Sequence, residues 1–162
     1  MRTVLLVCHA NTCRSVMAHV LLEKMLEERL ARGRVLVRSV GIANHARDGM
    51  IPSLDARIVL REDGIHLAED TMTSTDLRRH REVIAGADLI LTMTAQQKEM
   101  LGTYEEARGR PIFTLKEFAG EEGDIGDPFE QGEERYRACR DDIKRCLAKG
   151  VDRLLLTLAG GR

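Results

Sequence analysis

The segment that most constrains the fold is an uninterrupted apolar run near the amino terminus, followed by a polar loop and an amphipathic stretch. Residues 3–7 are almost wholly apolar, which is typical of a strand buried on both faces of a sheet. A polar loop follows at residues 8–13, and from 14 to 32 apolar side chains recur at helical spacing, with Gly33 as the expected end of the helix. This order predicts the first half of a strand–helix–strand unit, whose two strands are parallel.

The same alternation continues to the carboxyl end. Further strands are expected at 35–40, 87–91 and 111–115. Helices are expected near 54–64, 71–80 and 95–101 and, after a loop at 120–132 rich in glycine and acidic residues, along the rest of the chain. A chain of 162 residues suits one domain and is too short for two ordinary ones, so the pattern predicts a single doubly wound α/β domain over 1–162.

Composition narrows the possible partners. The formal net charge is −1, so nothing indicates nucleic acid or a membrane surface as a partner. The apolar runs are too short for a membrane span or a signal-peptide core, and we expect a cytoplasmic protein. A chain of this size does not need its four cysteines as disulfides, and no zinc-binding spacing is present, so neither a metal site nor a cofactor is expected.

The loop after the first strand carries the strongest chemical signal. Its sequence is CHANTCRS, in which Cys8 and Arg14 enclose five residues. The spacing alone is weak evidence, because Cys139 and Arg145 share it within an amphipathic stretch where a helix leaves no free N–H groups. The first match lies between a buried strand and the start of a helix, where successive backbone N–H groups can form an anion-binding nest.

The sulfur of Cys8 is predicted to be a reactive thiolate, because the nest and the positive end of the helix dipole favour negative charge. Ser15 can donate its hydroxyl to this sulfur, and Asn11 tolerates the left-handed backbone of a tight loop. Arg14 offers a planar fork of donors to two phosphate oxygens. The motif alone leaves open that Cys8 is only a small buried residue and Arg14 an ordinary arginine at the start of a helix.

The loop and three later segments together resemble the low-molecular-weight protein tyrosine phosphatase family. The loop with its flanks, VLLVCHANTCRSVMAHVLLEKM, is similar to the family signature V-C-x-G-N-x-C-R-S-P-x-A-E. The segments RSVG at 38–41, DLILTM at 88–93 and DPF at 127–129 follow in the order and at the spacing of the family. The likeness covers nearly the whole chain, and it is strongest toward the bacterial protein arginine phosphatase branch.

The resemblance implies a four-stranded parallel sheet with helices on both faces, a Rossmann-like arrangement, and a two-step reaction without metal. In this reaction Cys8 attacks phosphorus, while Arg14 and the loop N–H groups hold the transition-state oxygens. Asp127 protonates the leaving atom and then activates the water that hydrolyses the phosphocysteine. Asp127 is preferred to the other acidic residues of its loop because only it matches the D-P-aromatic pattern.

Further site residues are implied by the same resemblance. The phosphate and substrate pocket is expected to include His9, Ala10, Asn11, Thr12, Cys13, Ser15 and Phe129. A supporting hydrogen-bond network is expected among Asn11, Ser15 and Ser39. The chain departs from the family pattern at four positions, which affect rate and loop rigidity rather than the class of reaction: Ala10 for glycine, Val16 for proline, His19 for glutamate and Glu69 for histidine.

Thr12 indicates the substrate. The family's phosphotyrosine enzymes tend to carry an aliphatic residue at this position, whereas its bacterial phosphoarginine phosphatases carry threonine, whose hydroxyl suits a polar guanidinium. Only one aromatic residue, Phe129, lies in the acidic loop, and Asn44 and His45 stand where a tryptophan often lines the other wall. We therefore expect a protein phosphatase for phosphoarginine, with phosphotyrosine as the alternative substrate and Thr12 as a neutral loop residue in that case.

Cys13 has two interpretations: a small buried residue of the loop, or the partner of Cys8 in a reversible disulfide that switches the enzyme off. A thioredoxin-coupled arsenate reductase is a rival function. Its extra cysteines would be Cys139 and Cys146, which lie about 10 Å apart on one helix and are too far apart for a disulfide unless the helix unwinds. A non-catalytic phosphate-binding module is the other rival, and it would not need both a nucleophile and an acid. The expected partners are phosphorylated proteins, and the expected state is a monomer or weak dimer.

Overall fold

A computed structural model describes residues 1–159, so the last three residues of the predicted 1–162 domain lie outside the described part. The strands are β1 (Arg2–Cys8), β2 (Val35–Gly41), β3 (Leu89–Thr92) and β4 (Ile112–Thr114). The helices are α1 (Arg14–Glu28), α2 (Leu54–Arg61), α3 (Glu82–Ala85), α4 (Ala95–Gly102), α5 (Leu115–Phe118) and α6 (Glu133–Ala159). Short 3₁₀ turns occupy Leu77–Arg79 and Glu105–Ala107. No helix within residues 1–159 is long and apolar enough to cross a membrane.

The strands form one parallel sheet in the order β2-β1-β3-β4, which confirms the predicted four-stranded architecture. Cys8 at the end of β1 lies opposite Gly41 of β2, and Val7 lies opposite Thr92 of β3. The chain passes from β1 to a neighbour on one side and then returns to pair with β1 on the other. The winding therefore reverses at β1, and its carboxyl end opens onto the crevice where sheets of this kind bind ligands.

Helices cover both faces of the sheet, which explains the apolar run of β1. Leu6 belongs to a core shared with α1 and α6, whereas Leu5 and Val7 face a second core that includes Ile84 of α3. Complete burial of one such aliphatic side chain contributes about 1.5–3 kcal/mol. Because neither face of β1 meets water from Val4 onward, no polar alternation is needed along this part of the strand.

Ion pairs hold α2 against α6. Glu62, just after α2, lies 2.7 Å from Nη2 of Arg137 and 2.6 Å from Nη1 of Arg140. The hydrogen bonds from these two arginines lower the pKa of Glu62 to about 2. Arg140 also donates to the Val59 carbonyl oxygen at 2.7 Å. The start of α2 is tied to the loop after β1, because the Ser53 N–H donates to the Thr12 carbonyl oxygen at 2.9 Å.

The first helix ends earlier than its sequence pattern predicts. The α1 helix stops at Glu28 rather than at residue 32, and Leu30 turns the chain with a φ of 55°. The Ala31 N–H then donates to the Leu26 carbonyl oxygen at 2.8 Å, which closes the last turn. A non-glycine residue in the left-handed region performs the role expected of Gly33, and leucine gives no sequence signal for it.

The helix predicted at 71–80 is wrong except for the 3₁₀ turn. The backbone of this segment bonds to other loops instead of to itself. Ser74 and Met50 exchange hydrogen bonds, from the Ser74 N–H to the Met50 carbonyl oxygen at 2.8 Å and from the Met50 N–H to Ser74 Oγ at 2.9 Å. The Thr75 N–H donates to Asn11 Oδ1 at 2.9 Å, so this segment is a support for the loop after β1.

Candidate active site

The loop after β1 and the start of α1 form the floor of a cavity of about 200 Å³ at the carboxyl end of the sheet. Loops after β2 and before α6 supply its walls. The lining residues are Cys8, His9, Ala10, Thr12, Cys13, Arg14, His45, Met50, Asp127 and Phe129. The structure thus places eight of the residues predicted from sequence around one cavity. Asn11 and Ser15 lie beneath them. His45 lines the wall as predicted, whereas Asn44, predicted beside it, is not among the lining residues, and Met50 is a lining residue that sequence reasoning missed.

The loop is curled so that its hydrogen bonds converge on the sulfur of Cys8. Asn11 has a φ of 61°, the left-handed conformation expected of it, and its N–H donates to Cys8 Sγ at 3.2 Å. Ser15 Oγ lies 2.9 Å from the same sulfur and accepts from Asn11 Nδ2 at 2.7 Å. Because the serine oxygen already accepts from the amide, its own proton is free for the sulfur. A sulfur that receives two donors is suited to carry negative charge.

Two neighbours fix the position of this loop. Asn11 Oδ1 accepts from the Thr75 N–H at 2.9 Å, a contact that sequence reasoning missed because Thr75 lies in the segment predicted to be helical. Gly41 packs directly beneath the loop, and a Cβ there would lie 2.7 Å from the His9 carbonyl oxygen. Ala10 does not have a positive φ, so the missing family glycine at this position costs no left-handed strain.

Ser39 is not part of this network, contrary to the prediction. Its hydroxyl pairs with Nδ1 of His19 at 2.9 Å. The reason is its place in β2: Ser39 lies opposite Leu6, two residues before the end of β1, and so below the loop. Glu69, which stands where many relatives of the resembled family have a histidine, pairs with Arg57 at 3.8 Å instead of reaching the loop.

Arg14 is 2% exposed and points into the nest. Its Nη1 donates to the Ile125 carbonyl oxygen at 2.8 Å, and its Nη2 lies 3.6 Å from Asp127 Oδ2. Its Nε has no partner among the described residues, although it is buried. A buried N–H without an acceptor costs about 1–3 kcal/mol. An anionic group bound in the cavity above Cys8 would supply the missing acceptor.

Asp127 stands at the rim, opposite the sulfur. Its side chain is 44% exposed, and its Oδ1 accepts from the Phe129 N–H at 3.0 Å. Gln131 Nε2 donates to the Asp127 carbonyl oxygen at 2.9 Å, which closes the turn that Pro128 begins. The carboxylate therefore has a fixed backbone but remains open to solvent and to a leaving group. Phe129 is 59% exposed and forms the apolar edge of the opening.

Cys13 differs chemically from Cys8, although it lies in the same loop. Burial raises the pKa of the Cys13 thiol far above its ordinary value, and the negative charges of Cys8 and Asp127 act in the same direction. Its Sγ lies 3.9 Å from Asp127 Oδ1. Cys13 is therefore a protonated thiol at neutral pH, in the same loop as Cys8 and beside Asp127.

The remaining cysteines lie on α6, away from the loop. Cys139 packs against the acidic loop, with its Sγ 3.6 Å from the Gly126 carbonyl oxygen, and burial raises the pKa of its thiol to about 12. Cys146 is buried in the core, and burial raises the pKa of its thiol as well. Arg145, which completes the second Cys-x5-Arg match, pairs with Glu121 on the surface at 2.9 Å. This second match is a feature of helix packing, as predicted.

His9 has a partner that sequence reasoning missed. Its Nδ1 lies 3.2 Å from Nε2 of Gln97, a side chain of α4 that is completely buried. Burial, followed by the positive charge of Arg14, lowers the pKa of His9. The sequence signal was the spacing of Thr94 and Gln97, which form a capping box at the start of α4. That signal predicts a helix start but gives no reason to expect a contact with the pocket.

A sulfur in a backbone nest, a buried arginine with a free N–H and a carboxylate at the rim define the site of a cysteine-dependent phosphatase. Residues 3–156 match the family of low molecular weight phosphotyrosine protein phosphatases. The chain belongs to this family and is a protein phosphatase.

Two curated relatives and one solved structure show the likeness in detail. A protein-arginine-phosphatase of Geobacillus stearothermophilus is 39% identical over 154 residues, which cover 93% of this chain and 95% of the relative. The low molecular weight protein-tyrosine-phosphatase PtpB of Staphylococcus haemolyticus is 34% identical over 143 residues, with 88% and 93% covered. A structure of YwlE arginine phosphatase, a cysteine-to-serine mutant with phosphorylated active site serine, is 33% identical and has a TM-score of 0.82, with 94% and 95% covered.

Proposed function

We propose that the protein hydrolyses phosphoarginine in proteins through a phosphocysteine at Cys8. The Cys8 thiolate attacks phosphorus, and the bond from phosphorus to the guanidino nitrogen breaks as that nitrogen takes a proton from Asp127. In the second step water attacks phosphorus and gives a proton to Asp127, and the thiolate leaves with free phosphate as the product. Arg14 and the loop N–H groups hold the equatorial oxygens throughout.

The observation that carries this proposal is the unpartnered Nε of Arg14. The guanidinium is held by Ile125 on one side and faces Asp127 on another, which leaves the Nε–H directed at no described acceptor. A phosphate oxygen supplies the missing acceptor and the compensating charge. The donors around Cys8 place the nucleophile beneath that position, and the similar mutant structure with a phosphorylated active site serine supports attack from this point.

The walls of the cavity support phosphoarginine over phosphotyrosine. Thr12, His9 and His45 line the cavity, and each carries a polar group that a guanidino group can bind. The Thr12 hydroxyl has no hydrogen-bond partner within residues 1–159, so it is available to a guanidino N–H. The relative with the higher identity of the two named above is a protein-arginine-phosphatase.

Phosphotyrosine is the second candidate, because the opening also has an apolar side. Met50 and Phe129 both line the cavity and both are exposed, so they can pack on a phenyl ring. The relative PtpB is a protein-tyrosine-phosphatase. The two substrates therefore have to be compared directly.

The test measures kcat/KM on two peptides with the same flanking sequence, one with phosphoarginine and one with phosphotyrosine. Wild type is expected to prefer phosphoarginine, and Thr12→Ile is expected to reduce that preference, since it replaces a hydroxyl by an aliphatic surface. Thr12→Ser, which retains the hydroxyl, is the matched control and should retain the preference. A wild-type enzyme that prefers the phosphotyrosine peptide removes the claim.

We also propose that the protein acts on phosphorylated proteins in the cytoplasm. All four cysteines are free thiols, including two that share one loop. Free cysteines in this arrangement suit a reducing compartment. Fractionation of cells that contain the tagged protein tests this placement, and recovery outside the cytoplasmic fraction contradicts it.

A further inference from the structure

Gln97 is a buried polar side chain beside the cavity that the proposed reaction does not use. It is 0% exposed. Its Oε1 accepts two backbone hydrogen bonds, from the Met93 N–H at 2.9 Å and from the Thr94 N–H at 3.1 Å. Its Nε2 lies 3.2 Å from His9 Nδ1. The amide thus joins the end of β3 to the wall of the pocket.

These contacts fix the orientation of the Gln97 side-chain amide. If the oxygen and nitrogen of Gln97 exchanged places, its NH₂ group would face two N–H donors that have no acceptor. The Nε2 group must therefore donate to His9, and His9 Nδ1 must accept. A neutral histidine that accepts at Nδ1 carries its proton on Nε2, on the other side of the ring. A protonated histidine would place an N–H at Nδ1 against the amide N–H groups.

The charged groups that face His9 act mostly in the same direction. Arg14 at the start of α1 opposes a positive charge on the ring, and so does His45 in the loop after β2. Asp127 of the acidic loop acts in the opposite sense. Together with burial, the net effect is a lowered pKa of His9. The hydrogen bond from Gln97 and the surrounding charges thus both indicate that His9 is neutral at neutral pH.

We infer that Gln97 is a positioning residue that keeps His9 uncharged, and that this uncharged wall selects for a cationic phosphoguanidinium group. The inference rests on the proposed phosphoarginine activity. The guanidino group of phosphoarginine keeps a positive charge beyond the phosphate, whereas the phenyl ring of phosphotyrosine has none. A cationic ring at His9 would attract the phosphate of both substrates equally, but it would repel the guanidino charge that only the first substrate has.

The size of the effect follows from Coulomb's law. For two unit charges about 6 Å apart at an effective dielectric constant of about 40, the repulsion lowers the preference for phosphoarginine by roughly tenfold. The quantity to measure is the selectivity ratio, defined as kcat/KM for the phosphoarginine peptide divided by kcat/KM for the matched phosphotyrosine peptide.

Gln97→Glu is the first test. One carboxylate oxygen can still accept hydrogen bonds from the backbone N–H groups. The other can accept a hydrogen bond from a protonated Nδ1 of His9, which stabilises the cationic ring. The pH titration of His9, followed by ring-proton NMR, should move to higher pH. Because the new carboxylate offsets most of the ring's charge toward the substrate, the selectivity ratio should fall by less than tenfold.

A second pair of variants answers the same question if a buried glutamate prevents folding. His9→Lys places a permanent cation at the wall and should lower the selectivity ratio about tenfold, whereas His9→Gln is uncharged and should keep it within about threefold of wild type. An unchanged ratio in His9→Lys overturns the inference. So does a His9 titration in Gln97→Glu that stays at its wild-type pH. If wild type cleaves only the phosphotyrosine peptide, the proposed substrate itself fails.

Discussion

Replacement of Gly41 by alanine tests whether β2 holds the loop after β1 in place. A Cβ on Gly41 would lie 2.7 Å from both the His9 carbonyl oxygen and the Ala10 carbonyl carbon. Both contacts are with backbone, so the loop must move by roughly 0.5–1 Å to reach an ordinary contact distance. Such overpacking costs about 1–3 kcal/mol of stability. A displacement of about 1 Å at a catalytic group reduces the rate by roughly 10²-fold.

The assay combines urea unfolding with kcat/KM on an aryl phosphate. Gly41→Ala should lower the free energy of unfolding by the amount given above, and it should reduce kcat/KM far more than this loss of stability explains. Gly102→Ala is the matched control, because a Cβ there meets nothing within 4 Å. It should leave both quantities close to wild type. Wild-type kcat/KM in Gly41→Ala would refute the idea that this close packing positions the loop.

Three further predictions concern the loop and the ion pairs. Asn11→Gly keeps the left-handed backbone but removes the side-chain hydrogen bonds to Ser15 and the Thr75 N–H. Urea unfolding should therefore show a loss of about 1–3 kcal/mol of stability, and steady-state kinetics should show kcat reduced at least tenfold. After peroxide treatment, Cys13→Ser should regain less activity with thiol than wild type, because no disulfide shields Cys8, and equal recovery would contradict the switch. Since the pKa of Glu62 is lowered from 4.5 to about 2, its stabilising effect is complete above pH 4.5 and is lost as pH falls toward 2. Glu62→Gln should therefore be less stable than wild type at pH 7 and equal to it near pH 2 in urea unfolding.

Most of the sheet was predictable because burial and periodicity are local signals. Strand β1 is apolar at successive positions, and its two faces meet two different cores. The end of α1 was not predictable, since Leu30 adopts a left-handed backbone that its residue type disfavours. The segment around Thr75 was misjudged for a different reason. Its polar residues suit a helix surface, but their hydrogen bonds go to loops far away in sequence.

The loop after β1 was predictable because strand, loop and helix are contiguous in sequence. The residues that control this loop are not. Gln97 reaches His9 from α4, and Gly41 packs beneath the loop from β2. These contacts arise from the packing of three separate elements, and no spacing along the chain encodes them. Ser39 is the opposite case: it lies in a segment that matches a family motif, but its hydroxyl bonds to His19 and not to the loop.

In the proposed reaction Cys8 carries the phosphate during turnover. Asp127→Asn should slow hydrolysis of the intermediate more than its formation from an aryl phosphate with a good leaving group. Rapid acid quench of this variant, followed by peptide mapping with a radiolabelled substrate, should place the label on the peptide that contains Cys8, and Cys8→Ala should remove it. Label on another residue, or phosphate release by Cys8→Ala at the wild-type rate, would contradict the account.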